Sequence, residues 1–197
     1  MLEFIPTHAK RVLDIGCAEG AFSLLVKEAR GAEVWGIELD VVAATRAQEK
    51  IDTVLAGDIA GLIERLPKVY FDCIVCNDVL EHLVDPYTVL STLKERLAPN
   101  GVIVFSLPNV RHFGNLKNLL IKKDWRYENE GILDKTHLRF FTEKSIRRMF
   151  ADLGYELIAM RGLRPIRSWK FALLNMLTLG LLSDARYLQF AGVVKPE

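Results

Sequence analysis

The sequence is short of several things, and each shortage excludes something. It has only three cysteines, Cys17, Cys73 and Cys76. An odd, small number rules out a full disulfide framework and fits a reducing compartment. Net charge is nearly absent, with 26 Lys and Arg against 25 Asp and Glu. No general field gathers polyanions, so a nucleic-acid partner is not expected. No apolar run reaches the ~20 residues of a membrane span; the run at residues 169–182 stops short. The opening "MLEFIPTHAKRV" lacks the apolar core of a secretion signal. These absences predict a cytoplasmic protein. A length of 197 residues suits one domain, 1–197, with a sizeable core.

What is present alternates. "RVLDIG", "EVWGIEL", "DTVLAGD", "FDCIVC" and "GVIVFSLP" have the apolar character of strands. Between them "GAFSLLVKEAR", residues 41–50, "IAGLIERL" and "DPYTVLSTLKERL" have that of helices. This repetition predicts an α/β fold: a mostly parallel sheet with helices on both faces. "CIVC" looks like a redox or metal pair, but the period of two in a strand sends Cys73 and Cys76 to opposite faces. Two small buried residues are the expectation.

The rhythm changes after Pro108. Residues 109–142 are polar, aromatic and irregular, as long excursions that carry function or mobility are. "TEKSIRRMFADLG" then predicts a helix with Thr142 as N-cap and Gly154 at its C-terminal end. "YELIAMRG" and "YLQFAGVVKP" supply a sixth and a seventh strand. Between them lies an insertion, residues 163–185, whose stretch 169–182 is apolar nearly all round. A buried or homodimer-interface helix is the default expectation. Arg161, Arg164, Arg167 and Lys170 beside it leave a membrane-surface helix as the alternative.

The turn "DIGCAEGA" admits two cofactors. A dinucleotide fingerprint maps onto Gly16, Ala18 and Ala21, and so lacks its central glycine. The second reading keeps Gly16 and Gly20 with Asp14 before them. It resembles motif I of class I S-adenosylmethionine-dependent methyltransferases, with Ala18 in place of that family's frequent middle glycine. Glu38, about 20 residues on, suits the ribose hydroxyls under either reading. "FDCIVCNDVLEHLVDP" closely resembles a segment of methyltransferases of the ubiquinone-biosynthesis and methionine-pathway types. "LKERLAPNGVIVFSLPN" and "HLRFFTEKSIRRMFADLGYEL" extend the likeness over residues 11–194.

The resemblance implies a Rossmann-like sheet of seven strands ending in an antiparallel hairpin. It implies S-adenosylmethionine as cofactor and S-adenosylhomocysteine as product. It assigns Asp58 to the adenine amine, the Ile59 backbone to a ring nitrogen, and Asn77 and Asp78 to the methionine portion. Cys17 and Leu39 complete the cofactor set with Asp14, Gly16, Gly20 and Glu38. Asp58 and Asp40 are also natural helix N-caps, and Phe22 and Trp35 natural core residues.

Oxygen methylation needs a proton acceptor, and histidine is the usual one. His8 precedes the sheet and His112 is the weaker candidate of the excursion. His82, beside Glu81, and His137 are the stronger pair, so Glu81, His82 and His137 form the candidate catalytic set. "DVLEHL" with the distant "DKTHLRFFT" also resembles the metal site of plant-type small-RNA 2′-O-methyltransferases. That likeness assigns a divalent cation to Asp78, Glu81, His82 and His137. The simpler alternative makes "EHL" a structural cap and lets His137 donate to a backbone carbonyl. The expected acceptor is a small molecule, a sugar or a lipid-linked glycan, because "ILDKTHLRFFT" resembles methyltransferases of bacterial surface-polysaccharide synthesis. An NAD-dependent oxidoreductase and a non-catalytic cofactor-binding interaction module remain as rivals.

Overall fold

The computed structural model describes residues 1–197. Seven strands lie in one sheet: β1 (Arg11–Ile15), β2 (Glu33–Glu38), β3 (Thr53–Ala56), β4 (Phe71–Asn77), β5 (Leu97–Pro108), β6 (Tyr155–Pro165) and β7 (Tyr187–Pro196). Their order is β3-β2-β1-β4-β5-β7-β6. Strands β1 to β5 run parallel, and β7 pairs antiparallel with both β5 and β6. This is the mostly parallel sheet with a terminal antiparallel hairpin that the sequence predicts. Helices α1 (Ala21–Arg30), α2 (Val41–Gln48), α3 (Ile59–Leu62), α4 (Pro86–Leu93), α5 (Phe113–Lys117), α6 (Glu143–Asp152) and α7 (Trp169–Leu177) fill the connections.

Two cores line the two faces of the sheet. A 25-residue cluster contains Leu13, Ile15, Ile74 and Cys76. A 16-residue cluster contains Val12, Cys73 and Val75. Side chains alternate along β1 and β4, so the two cysteines part to opposite faces as expected. Both thiols are buried and free.

Local chemistry sets the helix starts. Asp85 accepts from the amides of Tyr87 and Thr88, with Pro86 in the first turn of α4. Thr142 and Ser145 form a reciprocal capping box on α6. Asp40 and Asp58 cap α2 and α3 through their side chains.

The insertion departs from expectation. Strand β6 runs on to Pro165, so helical structure begins only at Trp169 and ends at Leu177. Of α7 only Phe171 is buried, while Trp169, Met176, Leu177, Leu179 and Leu181 are exposed. Within the chain the helix is covered only at Phe171, so the buried alternative fails, while the homodimer-interface and membrane-surface alternatives require no burial within the chain. No helix of the chain is long and apolar enough to cross a membrane.

Candidate active site

A cavity of about 710 Å³ opens where the parallel strands end. Such carboxyl-end crevices are the ligand sites of open α/β sheets. Gly16 at the tip of β1, Glu38 and Leu39 after β2, Asp58 and Ile59 after β3, and Asp78 and His82 after β4 all line it.

The turn after β1 is built for close approach. Gly16 and Gly20 have φ of 74° and 77°. A Cβ on Gly16 would lie 2.6 Å from Val79 Cγ2, and one on Gly20 3.1 Å from the Ala47 Cα. Only glycine meets both demands without strain. Four of the turn's amides are already engaged. Gly16 and Cys17 donate to the Ile37 carbonyl, Gly20 donates to that of Cys17, and Ala18 donates to Glu38 Oε2 at 2.8 Å. Glu38 Oε1 takes the Asp40 amide at 2.9 Å, so one carboxylate joins the turn to the loop before α2. A pyrophosphate would need free N–H groups here; these four amides are spent, and the ones left are those of Glu19 and the uncapped first turn of α1.

Asp78 sits in the left-handed region with φ of 51°. Its amide bonds to Ser106, and its Oδ1 accepts the Ser106 hydroxyl at 3.0 Å. Beyond it the chain folds back, and the Glu81 carbonyl accepts the amides of Leu138 and Arg139. That junction brings two segments more than fifty residues apart to one place. The His82 and His137 rings meet edge to face with centroids 4.6 Å apart. Ligand atoms of Glu81, His82 and His137 lie within 4.8 Å of one another.

The tautomers follow from the partners. His137 Nδ1 is 3.0 Å from the Ile132 carbonyl, which can only accept, so Nδ1 carries a proton and, in the neutral ring, Nε2 is the bare nitrogen. This is the carbonyl contact of the simpler alternative, and it leaves the other nitrogen pointing into the cluster, 4.0 Å from Glu81 Oε1. His82 Nδ1 meets the Thr136 carbonyl at 3.3 Å and its hydroxyl at 3.1 Å. The hydroxyl donates to Asp134 Oδ1 at 2.7 Å, so it accepts from His82, whose Nε2 is likewise bare. Both Glu81 oxygens are buried without a hydrogen-bond partner. Burial pushes this carboxyl up to about 8, and burial pushes His82 down.

Residues 2–160 match the family model described as a methyltransferase domain. The chain belongs to this family. A ubiquinone biosynthesis O-methyltransferase of Idiomarina loihiensis is 33% identical over 177 residues, 82% of this chain and 70% of that protein. One from Pasteurella multocida is 36% identical over 114 residues, 51% of this chain and 47% of the relative. That match thus spans about half the length of the relative. A crystallised SAM-dependent methyltransferase from Archaeoglobus fulgidus shares the fold, with TM-score 0.71 and 23% identity over 96% of this chain and 87% of that one.

Within this methyltransferase domain the expected cofactor residues divide. Gly16, Glu38, Leu39, Asp58, Ile59 and Asp78 face the cavity; Asp14, Cys17, Gly20 and Asn77 do not line it. Cys17 is buried against Gly36, and Gly20 backs onto Ala47. Asn77 has a buried, unpartnered Oδ1. Asp78 stands apart from the Glu81–His82–His137 cluster, so the expected four-residue metal set contracts to three. Its side chain is turned to Ser106 by the left-handed backbone. His8 is exposed, and His112 precedes α5 without a capping bond. Trp35 packs on Tyr70 and Phe71 as a core residue. Thr136, which lines the cavity, and Asp134 behind it were not singled out from sequence. The pattern D-x-T, an aspartate bonding the amide and hydroxyl two residues on, is the signal that "DKTH" offered.

Asp14 lies beneath the turn, bonded by the Ser23 hydroxyl at 2.5 Å. Burial raises its carboxyl from 3.8 to about 7, against the lowering effect of Ser23. The folded chain therefore holds a proton that the unfolded chain has released, and this contribution to stability is lost as pH rises from about 4 to about 7. The thermal midpoint is expected to fall over that window and Asp14→Asn to flatten part of the fall. Calorimetric scans at pH 5, 6, 7 and 8 check it; parallel curves for the two proteins would refute it.

Proposed function

We propose that the chain is an S-adenosylmethionine-dependent O-methyltransferase whose acceptor is a small molecule, a sugar or a lipid-linked glycan. The observation that carries this reading is the cavity wall, where Glu38 and Asp58, at the ends of two adjacent strands, offer carboxylates for hydroxyl and amine groups. The residues fit the donor. Glu38 lines the cavity at the end of β2, where it serves the ribose hydroxyls. Asp58, capping α3 through one oxygen, and Ile59 serve the adenine. Gly16 has no side chain to hold the donor away from the turn. The bound donor supplies a methyl group on a sulfonium whose positive charge vanishes on transfer. The chain's own task is then orientation, water exclusion and proton removal.

His82 suits the last of these, because it lines the cavity with a bare Nε2 and a neutral ring. Glu81, His82 and His137 also fit a divalent cation: their ligand atoms lie within 4.8 Å of one another, each histidine has its Nδ1 anchored to an oxygen, and the carboxylate has no other partner. Such an ion would polarise the acceptor oxygen and lower its pKa. The Idiomarina relative is named as an O-methyltransferase, which supports oxygen as the accepting atom here.

Isothermal titration is expected to show saturable binding of S-adenosylhomocysteine and none of NADH. His137→Ala is expected to leave that affinity unchanged. NADH binding without S-adenosylhomocysteine binding would overturn the reading in favour of an oxidoreductase.

A further inference from the structure

Two segments leave the carboxyl edge of the sheet, the same edge that carries the cavity. One follows β5 and comprises α5 and the wide helical turn Asn118–Lys122; the other joins β6 to β7 and contains α7. Strand register holds them side by side, with Pro108 opposite Gln189 and Pro165 opposite Tyr187. Phe113 and Phe171 pack edge to face at 5.3 Å. Arg111 bonds Asp184 at 2.7 Å and the Leu181 carbonyl at 3.1 Å. The two segments are thus one surface.

That surface is apolar and unpartnered. Trp169, Met176, Leu177, Leu179 and Leu181 are exposed on the second segment, Leu120 and Ile121 on the first. Single exposed leucines need no explanation, but a group of this size on two segments in contact does. Charge is concentrated in the same place. Residues 111–126 and 161–186 together hold ten Lys and Arg against two Asp and Glu, in a chain of net charge +1. Asp184 pairs with Arg111, and Glu3 from outside the two segments pairs with Arg161, which leaves eight of the ten basic residues without an acidic partner. Lys122, Lys123, Arg126, Arg164, Arg167 and Lys170 are all exposed.

We propose that this surface docks on an anionic lipid bilayer, with the apolar side chains entering the headgroup region and the basic ones meeting lipid phosphates. An apolar patch with a basic surround has the chemistry of an interfacial anchor. A second copy of the chain would bring the two basic surrounds together and oppose itself. Because the patch and the cavity share an edge, a membrane-held acceptor reaches the site without leaving the bilayer.

Sedimentation with vesicles tests this. The wild-type chain is expected to pellet with phosphatidylcholine vesicles containing phosphatidylglycerol, not with phosphatidylcholine alone, and to be released by high salt. Reversing four charges, Lys122→Glu, Lys123→Glu, Arg167→Glu and Lys170→Glu, is expected to weaken binding more than about tenfold. Leu177→Ser with Leu181→Ser is expected to weaken it as well, at an unchanged melting temperature. Both variants are expected to retain S-adenosylhomocysteine binding, which separates this result from the cofactor site. Failure to pellet at low salt would overturn the proposal, as would unaltered binding by the charge-reversed variant. A dimer in solution that the serine variant dissolves, without vesicle binding, would assign the face to a second copy.

Discussion

Replacing Glu38 with alanine is expected to weaken S-adenosylhomocysteine binding by about 1–3 kcal/mol, roughly five- to 150-fold. The size follows from where the carboxylate stands. One oxygen holds the Ala18 amide and the other the Asp40 amide. The side chain therefore shapes the turn as well as offering acceptors to the ribose. Ala18 has φ of 48°, a conformation that a non-glycine residue keeps only when its surroundings enforce it. Glu38→Gln is not expected to rescue binding. Its amide keeps one acceptor but sets an NH₂ against the second backbone N–H. Calorimetric titration of both variants measures the effect, and thermal scans of the ligand-free proteins show whether the fold is intact. An unchanged dissociation constant in Glu38→Ala would show that the ribose lies elsewhere.

The elements that carry short-range signals were legible in the sequence. Alternation separated Cys73 from Cys76, and the caps Asp85 and Thr142 fixed where α4 and α6 begin. Gly16 and Gly20 announced the turn because no other residue tolerates its torsions and contacts. The site was legible only in part, since its decisive contacts are long-range. Nothing near Glu81 in the chain says that its carbonyl will receive the amides of Leu138 and Arg139. Without that junction Thr136 and Asp134 have no visible connection to His82. Asp78 has the right residue type and spacing for the metal set, but its left-handed backbone hands it to Ser106, which the spacing alone does not reveal. The role of the apolar stretch 169–182 was open for the same reason. Composition reports what a segment would bury, whereas exposure depends on whether any other part of the fold reaches it.

Replacing Glu81 with glutamine is expected to have opposite effects on stability with and without a divalent cation. In the metal-free chain both Glu81 oxygens are buried and unpartnered. A buried polar group without a partner costs about 1–3 kcal/mol, and an ionised one costs more. The neutral glutamine removes the ionic part of that cost, so in the presence of a chelator the variant is expected to melt about 2–8 °C higher at pH 8. Adding Mn²⁺, Zn²⁺ or Mg²⁺ is expected to raise the wild-type midpoint. The gain is about 2.7 kcal/mol when the ion is a hundredfold above its dissociation constant. The variant, with two histidines and a neutral amide, is expected to gain far less, so the order of the two midpoints reverses. Metal titrations followed by thermal unfolding read both halves. A wild-type midpoint indifferent to all three ions would remove the cation and leave His82 as the proton acceptor. A variant less stable than wild type in chelator would instead show that the carboxylate has a structural partner. Only the reversal ties the unpartnered carboxylate of Glu81 to the two imidazoles beside it.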